Sequence, residues 1–237
     1  MPDIALGRAT GGSNDLNAYL AVPSGEGPWP AVVAIHEVFG LNDVVRRQAD
    51  RLAAAGYLTL APDLYSDGGA RKCLVSTFRA LMSGEGKAFA DIAAARTHLL
   101  TDERSTDKVG IIGFCMGGGF ALLAAARGFD VAAPNYGQPP KGLPEALRGS
   151  CPVVASYGAK DVSLRGAAGK VRAALDTLGV ENDVKEYPTA GHSFLNEEFF
   201  GPGFTHAVQR VVHVGPDPVA AADAWARIES FFDHHLR

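Results

Sequence analysis

Cysteine is scarce in this sequence. Three occur among 237 residues, Cys73, Cys115 and Cys151, and no two form a CxxC pair. An odd, widely spaced set is a poor disulfide framework, so a reducing, cytoplasmic setting is expected. Clustered positive charge is also missing: the formal net charge is −4 and no basic run exceeds Arg46-Arg47 or Arg71-Lys72. That excludes a nucleic-acid surface, which needs a concentrated basic face, while a small anionic substrate stays compatible with one local arginine. The N-terminal MPDIALGRATGG has neither a basic stretch nor an apolar core, so no signal peptide is expected. Only Val109 to Ala126 is long, uncharged and apolar enough to suggest a membrane span, and it carries a Gly113-xxx-Gly117 spacing used in transmembrane packing. Five of its eighteen residues are glycine, which favours a broken segment over one long helix.

What the chain does have is apolar residues, 47% against 20% charged, enough for a large buried core. The length suits one α/β domain, residues 1–237, with no repeat or interdomain linker. Asn17–Val22 alternates loosely as an early strand. Ala31–Ile35 (AVVAI) is a continuous apolar run, as in a strand buried on both faces. Asn42 can cap a helix over Asp43–Ala55 that Gly56 stops. Further strands are predicted at Tyr57–Ala61, Lys108–Ile112, Val131–Tyr136, Val153–Tyr157 and Val184–Tyr187. Helical spacing marks Ala88–Leu100, Phe120–Ala126, a segment carrying Val171, Leu175 and Leu178, and Ala220–Leu236. Strands alternating with helices indicate a doubly wound, mainly parallel sheet covered on both sides. Ser66–Lys87 and Phe199–Pro218 read as irregular, and both are candidate loops over a site.

The stretch Gly113-Phe114-Cys115-Met116-Gly117 stands between a strand and a helix. It fits the G-x-S-x-G nucleophile turn with cysteine in the serine position. The turn is so tight that glycine is required on either side, and the nucleophile is forced into a sparsely populated backbone region at a helix N-terminus. Other readings fit less well. A P-loop needs a Gly-Lys-Ser/Thr ending, a dinucleotide fingerprint needs GxGxxG, and Cys115 has no further metal ligand close in sequence. A buried structural cysteine is the plain alternative.

A nucleophile needs a base, and the base an orienting acid. Asp161 (in YGAKD) and His192 (in AGHSF) each follow a predicted strand, in the order nucleophile, acid, histidine. Their spacings, 46 residues from Cys115 to Asp161 and 31 on to His192, each accommodate a helix and a strand. A helix cap is the alternative for Asp161 and a surface loop for His192. His98 falls in a helix, His234 and His235 at the C-terminus, and His206 and His213 in irregular sequence. After the central strand comes Ile35-His36-Glu37-Val38-Phe39-Gly40. Here a backbone amide, with that of Met116, would form an oxyanion hole. Glu37 is an acid in the same mouth, or else a solvated loop carboxylate.

With His36-Glu37-Val38-Phe39-Gly40-Leu41, Ala61-Pro62-Asp63-Leu64-Tyr65, Gly113-Phe114-Cys115-Met116-Gly117-Gly118 and Gly191-His192-Ser193-Phe194 in order, the sequence resembles the dienelactone hydrolase family from about residue 15 onward. The resemblance implies an α/β-hydrolase fold without a large cap, a monomer and no cofactor. A small ester or lactone is the expected substrate, with no metal and no membrane partner. Carried over by motif, Cys115 is the nucleophile, His192 the base and Asp161 the orienting acid. Glu37 holds the resting thiol until substrate displaces it, and the amides of Val38 and Met116 bind the oxyanion. Asp63 structures its loop. The family places a carboxylate-gripping arginine soon after the His-Ser-Phe, where this sequence reads Leu195-Asn196-Glu197-Glu198. For a second such arginine, before the Ala88 helix, Arg71 and Arg79 are candidates. A thioesterase or general carboxylesterase would use the same triad, and a non-catalytic binding protein would need none of it.

Overall fold

The computed structural model describes residues 3–237. In chain order the elements are β1 (Asp3–Gly7), β2 (Leu16–Ala21), β3 (Trp29–Ile35), α1 (Asp43–Ala54), β4 (Leu58–Pro62), α2 (Ala70–Ser83), α3 (Lys87–Thr101) and β5 (Ser105–Phe114). There follow α4 (Met116–Ala124), β6 (Val131–Asn135), α5 (Leu143–Ala146), β7 (Val153–Gly158), α6 (Ala167–Thr177), β8 (Asn182–Tyr187), α7 (His206–Val211) and α8 (Pro218–Leu236). They form one eight-stranded sheet in the order β1-β2-β4-β3-β5-β6-β7-β8. β1 and β2 run antiparallel to their neighbours, and β4 through β8 are parallel. This is the doubly wound sheet of the α/β-hydrolase fold.

β3 and β5 lie at the centre, and the residues from Ala31 to Ile35 and from Val109 to Phe114 are buried. That burial explains why they read as unbroken apolar runs instead of alternating ones. Asn42 caps α1 as expected, its side-chain oxygen accepting from Val44 N at 3.1 Å and Val45 N at 3.3 Å. α1 and α8 share a face of the sheet, joined by the Arg51–Glu229 ion pair and by Arg51 over the Trp225 ring. α3 and α4 pack edge to face through Phe89 and Phe120.

The run from Val109 to Ala126 breaks at Cys115, as its glycines suggest, into the end of β5 and the nine-residue α4. Among the described residues no helix is long and apolar enough to cross a membrane. The Ser66–Lys87 segment is not irregular, because α2 occupies most of it. α2 has no side-chain cap and buries only Thr77, Ala80 and Leu81, so it lacks both the start signal and the apolar stripe that identify a helix. β1 was not foreseen either, since none of its five residues is fully buried. In Phe199–Pro218 a 3-10 turn (Gly203–Thr205) leads into α7.

Candidate active site

The site lies at the carboxyl edge of the parallel strands, where chain reversals leave groups unpaired. β5 ends at Phe114 and α4 begins at Met116, so the whole reversal is made by Cys115, at φ 54° and ψ −116°. A non-glycine residue there is strained by about 1–3 kcal/mol, and the surrounding packing must hold it. The two flanking glycines explain how. A Cβ on Gly113 would stand 2.0 Å from the Gly117 carbonyl oxygen, and one on Gly117 would stand 2.2 Å from that of Ile35. The amide of Cys115 donates to Asn135 O at 3.1 Å, tying the turn to β6. Met116 opens the helix, so its amide has no acceptor within α4.

Asp161 and His192 arrive from β7 and β8, which are parallel neighbours in register from Val153–Asn182 to Gly158–Tyr187. His192 Nδ1 lies 2.5 Å from Asp161 Oδ2. The other oxygen of Asp161 accepts from Ser163 N at 3.0 Å and Ser163 Oγ at 2.5 Å. Asp161 thus caps the turn that follows it and at the same time bonds the His192 ring. Its hydrogen bond to Nδ1 leaves Nε2 of His192 for the sulfur side. Backbone bonds hold the histidine loop from an unforeseen direction: His192 N donates to His213 O at 2.8 Å and Gly215 N to His192 O at 2.9 Å. The Phe199–Pro218 segment thus clasps the loop from below.

Burial disfavours a charged imidazole at His192, but Asp161 and the Cys115 side chain outweigh it and push the pKa up to about 10. The folded protein then keeps a proton that the unfolded chain releases near the ordinary value of 6.5. This contribution to stability is complete below about pH 6.5 and is lost as pH rises through about 10. Thermal unfolding across that window is expected to show Tm falling with pH in the native sequence. A His192→Gln variant with the same slope would show that His192 is not the group responsible.

The loop after β3 supplies the remaining predicted residues. His36, fully buried, lies with Nδ1 2.6 Å from Glu37 O and accepts from Leu64 N through Nε2 at 3.1 Å. Burial holds its pKa below the ordinary value. The Tyr65 hydroxyl donates to Val38 O at 2.9 Å and lies 3.7 Å from Met116 Sδ, so one side chain bridges both residues expected to offer amides. Asp63 accepts from Tyr65 N at 2.9 Å and so structures this loop.

One expectation is corrected here. Glu37 is buried, but it does not hold the thiol: its carboxylate accepts from Ser193 Oγ at 3.0 Å and from Asn196 Nδ2 at 3.3 Å. Burial raises its pKa, partly offset by these donors and by His192. The neighbours in sequence of His192 have captured it, because Ser193 at φ 58° turns that loop back towards β3. Arg71 and Arg79 are exposed on α2 and make no hydrogen bond or ion pair with another described residue. Asn196, nearly fully buried, is fixed between Glu37 and Gln48 and leaves no cation in that position.

Elsewhere, Glu181, His234 and His235 place metal-capable atoms within 4.8 Å of one another, the one such group among the described residues. It shares no residue with this site.

A cysteine on a strained strand-to-helix turn, with aspartate and histidine in the loops that follow β7 and β8, places the molecule in the α/β-hydrolase class. The chain belongs to the dienelactone hydrolase family, whose model matches residues 16–236. It is 28% identical over 236 residues to the carboxymethylenebutenolidase of Rhodococcus opacus, covering 92% of this chain and 86% of that protein. The solved structure named m3DLH is 26% identical with a TM-score of 0.82, covering 100% of this chain and 98% of that one. The dienelactone hydrolase of Anabaena variabilis, 22% identical with a TM-score of 0.67, covers 100% of this chain and 98% of that one and shares the fold.

Proposed function

We propose that this protein hydrolyses a carboxylic ester or lactone through a Cys115 acyl-enzyme. The observation that carries the reading is the strained turn at Cys115 facing a histidine that Asp161 orients at 2.5 Å. In the reaction, Cys115 attacks as a thiolate whose proton rests on His192. A C–S bond forms at the carbonyl carbon and the π electrons move to oxygen, which the amides of Val38 and Met116 receive. As the carbonyl re-forms, the C–O bond to the leaving group breaks and the alkoxide takes the proton from His192 Nε2. For a lactone that alcohol stays tethered to the acyl group. Neutral His192 then takes a proton from water, the hydroxide attacks the thioester, and Cys115 leaves as thiolate. Ester and water become acid and alcohol, with no cofactor required. The supporting test is acyl capture: intact mass after mixing with 4-nitrophenyl acetate should show one acetyl group, on Cys115 by peptide mapping. Hydrolysis that persists in Cys115→Ala would overturn the reading.

Asn196 favours general carboxylesterase activity over recognition of an acyl group that bears its own carboxylate. The fixed charges close to His192 are Glu37 and Asp161, and among the described residues no arginine is hydrogen-bonded to either. An added carboxylate about 6 Å from Glu37, at an effective dielectric of about 20, would cost about 3 kcal/mol. 4-Nitrophenyl butyrate is therefore expected to exceed the 4-nitrophenyl half-ester of glutarate in kcat/KM by about tenfold to a hundredfold. Equal values, or a preference for the half-ester, would rule this out.

A further inference from the structure

Tyr136 carries three costs at one position. It follows β6 at φ 38°, in the left-handed region where a tyrosine is rarely found. Its side chain has no solvent exposure, and its hydroxyl has no partner at ordinary hydrogen-bond geometry, although Glu37 lies close enough to interact with it. A buried polar group without a partner is rare enough in folded proteins to require a reason. Strain of this kind persists only where the surroundings enforce it, and it clusters at functional sites.

The surroundings here are the site itself. The Tyr136 ring stands against the His192 ring with centroids 5.3 Å apart, and against Phe114 and Phe194 at 6.5 Å and 5.5 Å. These contacts leave the phenol no room to swing. The ionisable groups that reach its hydroxyl are Glu37 and Cys115, and with burial they hold the phenol's pKa well above the ordinary value. The hydroxyl therefore stays protonated and is a donor only in search of an acceptor. Glu37 offers one. Its Oε1 receives Ser193 and Asn196 at 3.0 Å and 3.3 Å, whereas Oε2 has only Asn196 at 3.5 Å. A donor short of a partner faces an under-used acceptor, with the nucleophile near the phenol.

We propose that Tyr136 is a positioning residue of this site: its hydroxyl is the third donor to Glu37, and it holds that negative charge off the Cys115 sulfur. The role rests on the reading of Cys115 as nucleophile given above. A carboxylate beside a sulfur disfavours the thiolate, and a donor that anchors the carboxylate weakens that field.

The test compares the native chain with Tyr136→Phe, Glu37→Gln and the double variant. Two rates are read at one pH: iodoacetamide labelling of Cys115 by intact mass, and hydrolysis of 4-nitrophenyl butyrate. Tyr136→Phe removes one unpartnered oxygen, so Tm is expected to hold or rise. Labelling and kcat are expected to fall about three- to tenfold with KM nearly unchanged. In the Glu37→Gln background the same change should have no further effect. Unchanged rates in Tyr136→Phe would overturn the proposal, as would an equal fall in both backgrounds. If the phenylalanine variant loses Tm, site-specific 3-fluorotyrosine at 136 keeps the shape and strengthens the donor. Faster labelling is then expected, and unchanged labelling overturns the proposal. Labelling needs no turnover, so an inactive native protein that still shows the Tyr136 effect would sink the ester-hydrolase reading alone.

Discussion

Replacing Cys115 by alanine is expected to lower kcat/KM toward an activated aryl ester by about three orders of magnitude or more while leaving the fold intact. Two observations set the size of the effect. The sulfur is the atom that forms the acyl bond in the proposed reaction, so its loss removes the covalent route and not merely a contact. What remains is the pair of backbone amides at Val38 and Met116 and the orientation of substrate, which in triad enzymes still give about 10³–10⁴ over water. The fold should survive because Cys115 is only part-buried and alanine keeps the Cβ. The strained φ of 54° remains in the variant, enforced by the glycines on either side. Circular dichroism and Tm should therefore match the native protein. Retained turnover at more than about a tenth of the native rate would mean that another residue is the nucleophile. A collapse of Tm would mean that Cys115 is a structural cysteine.

The second large effect is on folding. Gly117→Ala is expected to destabilise the protein by about 3 kcal/mol or more, enough to leave much of it insoluble. Its new Cβ would lie 2.2 Å from Ile35 O and 2.7 Å from His36 O, both backbone atoms of β3 and the loop after it. Neither can rotate away as a side-chain tip would. Gly113→Ala meets Gly117 O at 2.0 Å and fails for the same reason. The control is Gly169→Ala, since a Cβ there would meet nothing within 4 Å and the site is in α6. Denaturant unfolding of the three variants measures the difference. A Gly117→Ala protein of native stability would show that α4 can withdraw from β3, and the account of the turn would fall.

The strain, the glycines and the aspartate–histidine pair were legible at different levels. Ala31–Ile35 and Val109–Ile112 announced central strands because burial on both faces leaves no polar position to break the run. The Gly-Phe-Cys-Met-Gly turn announced itself because backbone crowding admits one residue type at two positions, and such a restriction is visible in sequence. Cys115, Asp161 and His192 could be named from strand ends alone, since a parallel sheet brings every such end to one edge. α2 was not legible: a helix that buries three of its fourteen residues is stabilised by the α3 and α4 surfaces beneath it and not by its own pattern.

The sequence by itself determined the alternation of strands and helices, the break in the apolar run at Cys115, and the identity of the residues at the strand ends, because each follows from local sterics or from periodicity. Only the tertiary structure decided which of those residues meet. Glu37 turned to Ser193 and Asn196 instead of the thiol, Arg71 and Arg79 stayed out on α2, and Tyr136 came to lie unpartnered against His192. A hydrogen bond or a close approach between residues 37 and 196 depends on how two loops from opposite ends of the chain fold over the same edge. No local preference encodes that distance; packing of the whole sheet does.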